Sequence, residues 1–221
     1  MNLDILLADK KGIIFDHDGT IADTEKLWFK AALSLLQDNT IYLDEYEQEG
    51  LFQQLLGVTL QETATLLKNR FNLLYSVDDI IKALLLAVAN FYNSQLTFVE
   101  YAQPFLEKLL QYPITMAIAS NSNQKLLALS DKKLGLQRFF NHHIYGIECV
   151  THGKPAPDIY MFAAEKLKIK PSECIAIEDS LIGVQAAKNA KIGVVIVIQT
   201  SSISYLCDET HIKIKGFDEF L

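Results

Sequence analysis

The sequence predicts an α/β fold: a doubly wound (Rossmann-like) parallel sheet as the core, with an inserted helical bundle as a cap. After residue 97, short apolar segments rich in β-branched residues alternate with segments of helical periodicity, a pattern typical of a parallel sheet covered on both faces. Between the first strand and residue 97 the pattern is helical throughout. We therefore expect residues 1–23 and 97–221 to form the core domain and residues 24–96 to form the helical cap domain.

The first strand is predicted at Gly12–Phe15, an apolar segment followed by Asp16, His17 and Asp18. Side chains alternate across a strand, so we expect the two aspartates on one side and the histidine on the other. Two neighbouring carboxylates are costly to bury unless a cation lies between them or one of them holds a proton. The segment therefore predicts a divalent metal site.

Two other structures also use the Asp-x-Asp pattern. An EF-hand calcium loop needs glycine at its sixth position and glutamate at its twelfth, whereas here Gly19 is the fourth residue and Leu27 the twelfth. A solvated turn would tolerate aspartate and glycine equally well. If the segment is a binding site, Gly19 lets the backbone come close to the ligand.

The elements after the first strand follow from periodicity and from helix-terminal residues. In residues 24–96, apolar residues recur at three- and four-residue steps, and Asp44 and Asp78 are expected helix caps. Further strands and helices are predicted in alternation in the second part of the chain. The strands are Ile114–Ala119, His143–Gly146, Cys174–Ile177 and Val194–Ile198, and the helices are Gln103–Tyr112, Asn123–Leu134, Pro157–Leu167 and Leu181–Ala190.

Two polar segments in the second part of the chain suggest an anion site. Ser120 and Asn121 follow a strand, where a hydroxyl and free backbone N–H groups can hold a phosphate, although such residues are also common helix caps. Lys154 lies among prolines. A lone lysine is usually a solvated surface charge, but rigid prolines fix its direction, so it could neutralise a phosphoryl group and keep a nucleophile ionised.

A third polar segment, Glu178 and Asp179, ends the strand Cys174–Ile177. Asp179 or Ser180 can cap the helix that follows, and this role does not exclude metal binding. Mg²⁺ prefers oxygen ligands and keeps several waters, so it needs only a few carboxylates. Ligands of doubly wound sheets bind at the carboxyl ends of the strands, where all these segments are predicted to lie.

The composition narrows the possible partners and location. A formal charge of −7 argues against a nucleic-acid surface, and no segment is long enough to span a bilayer. The N-terminal residues lack the pattern of a secretory signal. Cys149, Cys174 and Cys207 are odd in number and irregularly spaced, which fits neither a disulfide framework nor a zinc site. We expect a cytoplasmic protein with no nucleic-acid or membrane partner.

The four polar segments resemble the four motifs of the haloacid dehalogenase superfamily, in the same order and each at a predicted strand end. They are Asp-His-Asp-Gly-Thr at 16–20, Ser120, Lys-Pro-Ala-Pro-Asp at 154–158, and Glu-Asp-Ser-x-x-Gly at 178–183. The resemblance covers essentially the whole chain. It is greatest to subfamily IA, the branch with a helical cap that includes phosphoglycolate phosphatase-like and β-phosphoglucomutase-like enzymes.

This resemblance implies a phosphatase that hydrolyses a small phosphorylated metabolite, a phosphate monoester, through an aspartyl-phosphate intermediate. It makes Asp16 the nucleophile and Asp18 the general acid and then base. It also implies Mg²⁺ as cofactor, with Asp16, Asp18 and Asp179 as ligands and Glu178 as a ligand either directly or through water. The backbone carbonyl of Asp18 is a further candidate ligand. The cap would close over the site, and a monomer is expected.

The phosphoryl group would be bound by residues from three of the four motifs. In the resembled family these residues surround the nucleophile and hold the phosphoryl oxygens, and the lysine also supports catalysis. By position they are Gly19 and Thr20 through the backbone, Ser120, Asn121 and Lys154.

A phosphoryl-transfer activity is the main alternative. The β-phosphoglucomutase-like members carry a histidine in the first cap helix, where this chain has Trp28, and an arginine after a Gly-Val-Ser stretch, where this chain has Leu60 after Thr59. Both differences remove groups that would hold a second phosphate, which favours hydrolysis over transfer within a sugar bisphosphate.

Two further alternatives and one unusual residue remain. Dehalogenation needs neither the second aspartate nor a metal, and a non-catalytic binding protein would usually have lost Asp16 or Lys154, which this chain retains. The family usually has an apolar residue where this chain has His17. The histidine either touches the substrate or has a hydrogen-bonded packing role, and its opposite facing favours packing.

Overall fold

The computed structural model describes residues 1–198 and 212–221, so Cys207 and His211 lie outside the described residues. The chain forms two compact units, which are Met1–Asp23 with Thr97–Leu221 and the intervening Thr24–Leu96. In the described ranges, no helix combines the length and the apolar character that crossing a membrane requires.

The first unit contains a six-stranded parallel sheet with the strand order β3-β2-β1-β4-β5-β6. Strand β1 is central and pairs with β2 on one side and β4 on the other. This arrangement confirms the predicted doubly wound parallel sheet. The strands are β1 Gly12–Phe15, β2 Thr115–Ala119, β3 Ile144–Tyr145, β4 Cys174–Glu178, β5 Val194–Ile198 and β6 Ile212–Ile214.

Helices cover both faces of this sheet because successive strand residues point to opposite sides. In β1, Ile13 and Phe15 belong to one buried apolar cluster and Ile14 belongs to a second. All three are at most 1% exposed, as expected for a strand between two layers. The core helices are α1 Leu3–Leu7, α6 Ala102–Leu109, α7 Gln124–Leu134, α8 Gln137–Phe140, α9 Asp158–Leu167 and α10 Leu181–Asn189.

The second unit contains four amphipathic helices. The longest buries Ile80, Leu84, Val88 and Tyr92, which recur at four-residue steps along one face. The helices are α2 Glu25–Asp38, α3 Glu45–Leu55, α4 Leu60–Phe71 and α5 Val77–Gln95.

Side-chain caps fix where helices α3 and α5 begin. Asp44 forms a capping box with Glu47 at the start of α3, as predicted. Asp78 was the wrong residue for the start of α5, because Ser76 accepts the hydrogen bond from the Asp79 N–H and Asp78 lies in the first turn. A hydroxyl two residues earlier reaches the free backbone donor, and the acidic residues then lie where the helix dipole favours them.

The chain leaves the first unit and returns to it along two adjacent segments. The Asp23 N–H donates to the Thr97 carbonyl at 3.0 Å, and the Val99 N–H donates to the Ile21 carbonyl at 2.9 Å. Between these bonds, Ala22 and Phe98 form an antiparallel bridge. The two ends of the inserted unit are therefore fixed side by side within the first unit.

The C-terminal residues are attached to the core by aromatic stacking. Phe105 of α6 stacks on Phe217 and Phe220 with ring centroids 5.1 Å and 4.7 Å away, and its edge contacts Phe15 of β1. The chain end thus packs on the same apolar layer as the central strand.

We predict that Phe220→Ala lowers the free energy of unfolding of the first unit by about 3–5 kcal/mol, because it opens a cavity next to Phe105. Urea denaturation followed by circular dichroism measures the change. Leu221→Ala is the matched control, since its side chain is 53% exposed and its loss leaves the cluster intact. Equal midpoints for the two variants would show that the stacked rings do not stabilise the core.

Candidate active site

The predicted site residues meet where three adjacent strands end. Phe15 of β1 pairs with Ile118 of β2 and with Ile177 of β4, so the residues that follow these positions lie at the same edge of the sheet. Asp16 and Asp18 follow β1, and Ser120 and Asn121 follow β2. Glu178 is the last residue of β4, and Asp179 comes directly after it. Parallel strands thereby collect polar groups from distant parts of the sequence.

Lys154 lies at the centre of this group. Its Nζ donates to Asp16 Oδ1 at 2.5 Å and to Glu178 Oε1 at 2.6 Å, and its side chain is only 2% exposed. A buried ammonium requires such partners, because desolvation without a countercharge is costly. The solvated surface lysine considered from sequence is therefore excluded.

Asn121 fixes the loop that carries this lysine. Its side-chain amide accepts from the Lys154 backbone N–H at 2.8 Å and donates to the Lys154 carbonyl at 3.1 Å. The amide of Asn121, predicted as a phosphate-binding group, is thus engaged with the lysine loop in this structure. Two hydrogen bonds to one residue leave the loop little freedom to turn the lysine away.

A tyrosine that the sequence analysis did not identify completes the surroundings of the lysine. The Tyr160 hydroxyl of α9 donates to Glu178 Oε1 at 2.5 Å, and Lys154 Nζ lies 5.1 Å from the centre of the tyrosine ring. Helical periodicity predicts a buried position for Tyr160, but it cannot show which polar group its hydroxyl meets. Tyr160 restrains the glutamate and contacts the lysine through its ring.

The charges in this buried group shift one another's protonation. Burial raises the pKa of Asp16 to about 7; the Lys154 ammonium opposes this rise, and the carboxylates of Glu178 and Asp18 add to it. Burial alone would lower the pKa of Lys154, but Asp16 and Glu178 outweigh burial and raise it, so the lysine stays protonated. The site is therefore short of positive charge.

Three carboxylates define a candidate metal centre. Asp16, Glu178 and Asp179 are buried, and each offers an oxygen within 4.8 Å of the others. If all three are ionised, Lys154 balances only one of their charges, and a divalent cation would balance the other two. The residues present therefore fit Mg²⁺ in both donor type and charge. The Asp18 side chain is not part of this cluster in the described residues.

Two glycines leave the space that these carboxylates occupy. Gly19 has φ +76°, and a Cβ on it would lie 2.0 Å from Asp179 Oδ2. A Cβ on Gly183, in the first turn of α10, would lie 1.9 Å from Glu178 Oε2. Any larger residue at either position would displace a carboxylate of the cluster.

The turn after Asp18 contains Gly19 and Thr20, whose backbone was predicted to lie at the phosphate. The Gly19 N–H donates to the Ala22 carbonyl at 2.9 Å, and the Thr20 hydroxyl donates to Asp179 Oδ1 at 3.1 Å. In this structure both groups hold the turn and orient a carboxylate of the cluster.

The second aspartate has a separate set of partners. Asp18 Oδ2 accepts hydrogen bonds from the Ser120 hydroxyl at 3.2 Å and from the Ser122 hydroxyl at 2.6 Å. The Ser122 N–H in turn donates to Ser120 Oγ at 2.9 Å. Ser122 was not among the predicted site residues, because its spacing resembles that of an ordinary helix-capping segment. Asp18 thus has serine hydroxyls as hydrogen-bond donors, whereas Asp16 has the Lys154 ammonium.

Comparison with known proteins identifies the family of this chain. Residues 13–197 match the family model of the haloacid dehalogenase-like hydrolases. The chain belongs to this family. The resemblance drawn from the four motifs, and the expectation that the chain is a hydrolase of this family, are confirmed.

Several relatives of this hydrolase carry names of phosphatases. A phosphorylated carbohydrates phosphatase of Thermotoga maritima is 29% identical over 82% of this chain and 82% of its own length. The 6-phosphogluconate phosphatase of Escherichia coli is 24% identical over 92% of this chain and 85% of its own length. A solved HAD hydrolase of family IA, variant 3, from Entamoeba histolytica is 25% identical with a TM-score of 0.77, covering 96% of this chain and 95% of that one.

We predict that Gly183→Ala destabilises the hydrolase by about 1–3 kcal/mol, because the added methyl group clashes with the Glu178 carboxylate. Gly50→Ala is the matched control: Gly50 lies inside α3, and in residues 1–198 and 212–221 no atom beyond its chain neighbours and the nearby backbone of α3 lies within 4 Å of the place its methyl group would take. Alanine there should stabilise by about 1 kcal/mol through helix propensity. Urea midpoints should therefore move in opposite directions. A stabilising Gly183→Ala would contradict the close approach of Glu178.

Proposed function

We propose that this hydrolase is a magnesium-dependent phosphatase that cleaves the phosphate monoester of a small phosphorylated metabolite through an aspartyl-phosphate. The observation that carries the proposal is the difference in surroundings between two nearby aspartates. Asp16 is buried against Lys154 and belongs to the carboxylate cluster, whereas Asp18 is held by two serine hydroxyls outside that cluster. A nucleophile and a separate proton donor require such different surroundings.

The metal would be held by Asp16, Glu178 and Asp179, with Asp18 contributing its backbone carbonyl. When bound, Mg²⁺ supplies positive charge that lets an anionic substrate approach the carboxylates. Thr20 and Gly19 serve this centre indirectly, since one hydrogen-bonds to Asp179 and the other leaves room for it.

Asp16 is the nucleophile in this proposal. One of its carboxylate oxygens attacks phosphorus, a P–O bond to Asp16 forms, and the P–O bond to the leaving alcohol breaks. Lys154, at 2.5 Å from Asp16 Oδ1, favours the ionised carboxylate and counters charge on the transferring phosphoryl group. Its contacts with Glu178 and Tyr160 prevent it from swinging out of the site.

Asp18 handles the protons of both half-reactions. It gives a proton to the oxygen of the leaving alcohol, and it then takes a proton from the water that attacks the aspartyl-phosphate. The second step breaks the bond between phosphorus and Asp16 oxygen, releases inorganic phosphate and restores both carboxyl groups. Its side chain is 28% exposed, which gives water access that Asp16 lacks.

The phosphoryl oxygens would be bound by Ser120 and Lys154, with Asn121 holding the lysine loop in place. Ser120 follows β2 next to Asp18, so its hydroxyl can turn from the aspartate to an incoming phosphate. The names of the relatives, which act on phosphorylated carbohydrates and 6-phosphogluconate, support a small phosphorylated metabolite as substrate.

We expect Mg²⁺-dependent release of inorganic phosphate from at least one compound in a panel of phosphorylated sugars and organic acids. Asp16→Asn should lower this rate about 10⁴-fold, because the amide cannot form the phosphoenzyme. Asp9→Asn is the matched control, since the Asp9 side chain is 78% exposed. Asp9 also lies before the amino end of β1, whereas the site lies at its carboxyl end. Phosphate release by colorimetric assay, with Mg²⁺ and with EDTA, measures both.

Two results of this assay would contradict the proposal. Full activity of Asp16→Asn would show that Asp16 is not the nucleophile. Conversion of a hexose 1-phosphate to its isomer without phosphate release would instead support the transferase alternative.

We also expect Mg²⁺ to raise the melting temperature of the hydrolase, because a ligand that binds only the folded state stabilises it by about 2.7 kcal/mol at a hundredfold excess over Kd. Asp179→Asn should abolish most of this increase, and Asp9→Asn should retain it. Differential scanning fluorimetry with and without Mg²⁺ makes the comparison. An unchanged Mg²⁺ effect in Asp179→Asn would show that the cation binds elsewhere.

A further inference from the structure

His17 lies between the two aspartates and is completely buried. Its Nε2 is 2.7 Å from the hydroxyl oxygen of Ser130, a fully buried residue of α7. Its Nδ1 lies 3.2 Å from Asp18 Oδ2, but the direction is not that of an aligned hydrogen bond. Across residues 1–198 and 212–221, Nδ1 is the one buried side-chain nitrogen or oxygen atom without a hydrogen-bond partner.

Packing alone does not explain this histidine. An apolar side chain of similar volume would fill the same space without an unsatisfied nitrogen, whose burial costs free energy. Buried polar groups in proteins nearly always have partners, so an exception calls for a specific reason. Here the unsatisfied atom faces the carboxylate proposed to carry the protons of the reaction.

The neighbours of the two ring nitrogens favour one tautomer of His17. If Ser130 donates to Nε2, the neutral imidazole carries its hydrogen on Nδ1, next to Asp18 Oδ2. The opposite tautomer would set the Nδ1 lone pair against the carboxylate oxygen, which is repulsive. The arrangement with hydrogen on Nδ1 is therefore favoured.

We infer that His17 is a positioning residue for Asp18: its Nδ1–H donates to Asp18 Oδ2 during the reaction and fixes the plane of the carboxyl group. This inference rests on the proposed function. The Ser120 and Ser122 hydroxyls already donate to Oδ2, so His17 supplies a third donor to the same oxygen.

The inference can be tested through the leaving group of the substrate. An alkyl phosphate needs a proton on its departing oxygen, whereas p-nitrophenyl phosphate releases a stable phenolate with little help. The parameter kcat/KM reports the steps up to formation of the phosphoenzyme, in which the leaving group departs. Loss of proton-donor alignment therefore lowers kcat/KM selectively for the alkyl ester.

We expect His17→Leu to lower kcat/KM about 10- to 100-fold for glycerol phosphate or a better alkyl substrate from the panel, and less than about threefold for p-nitrophenyl phosphate. His17→Asn should recover most of the loss, because its amide nitrogen can stand near the position of Nδ1. Ser130→Ala keeps the imidazole but removes the hydrogen-bond partner of Nε2 that holds the ring in place, and should show a smaller loss with the same selectivity.

The outcomes separate this inference from the function on which it rests. Wild-type protein that releases phosphate from neither ester would overturn both. Wild-type activity on both esters, with equal losses or no loss in the His17 and Ser130 variants, would overturn the inference alone. If His17→Leu does not fold, as judged by circular dichroism, the selectivity of Ser130→Ala and His17→Asn decides the matter.

Discussion

The site depends on one buried ammonium group between two buried carboxylates. Lys154 contacts Asp16 and Glu178 at hydrogen-bonding distance, and its ammonium opposes the rise that burial gives to the pKa of Asp16. The surrounding residues serve to hold the ammonium in place: Asn121 ties its backbone and Tyr160 contacts it through the ring. Because the lysine balances only one charge, the same arrangement that stabilises the acids also makes a place for a divalent cation.

Much of the fold follows from local pattern, and the rest depends on partners that pattern does not reveal. Strand β1 has the predicted bounds, and the predicted strand near Cys174 extends by one residue to Glu178. Strand β6 and helix α8 were not predicted, because three or four residues carry too little periodicity to be recognised. The cap of α5 is Ser76 and not Asp78. Both residue types can cap a helix, so the sequence alone does not show which of them stands at its start.

The sequence identified the charged residues at the strand ends, but not the hydroxyl groups that hydrogen-bond to them. Ser122, Ser130 and Tyr160 are ordinary helix or cap residues by spacing, and their hydroxyls acquire a role only when the sheet brings them to Asp18, His17 and Glu178. The phosphate-binding role that the sequence predicts for Gly19, Thr20 and Asn121 stays a prediction. In the structure these residues hydrogen-bond to Ala22, Asp179 and Lys154. Long-range hydrogen bonds of this kind depend on distances that only the assembled fold determines.

The paired entry and exit segments at residues 21–23 and 97–99 bear on how such enzymes diversify. Their mutual hydrogen bonds close the core on itself, so the sheet register does not depend on the length or composition of what is inserted between them. Mutations, deletions or replacements in the insert can therefore accumulate without moving the strand ends at which the buried carboxylates lie.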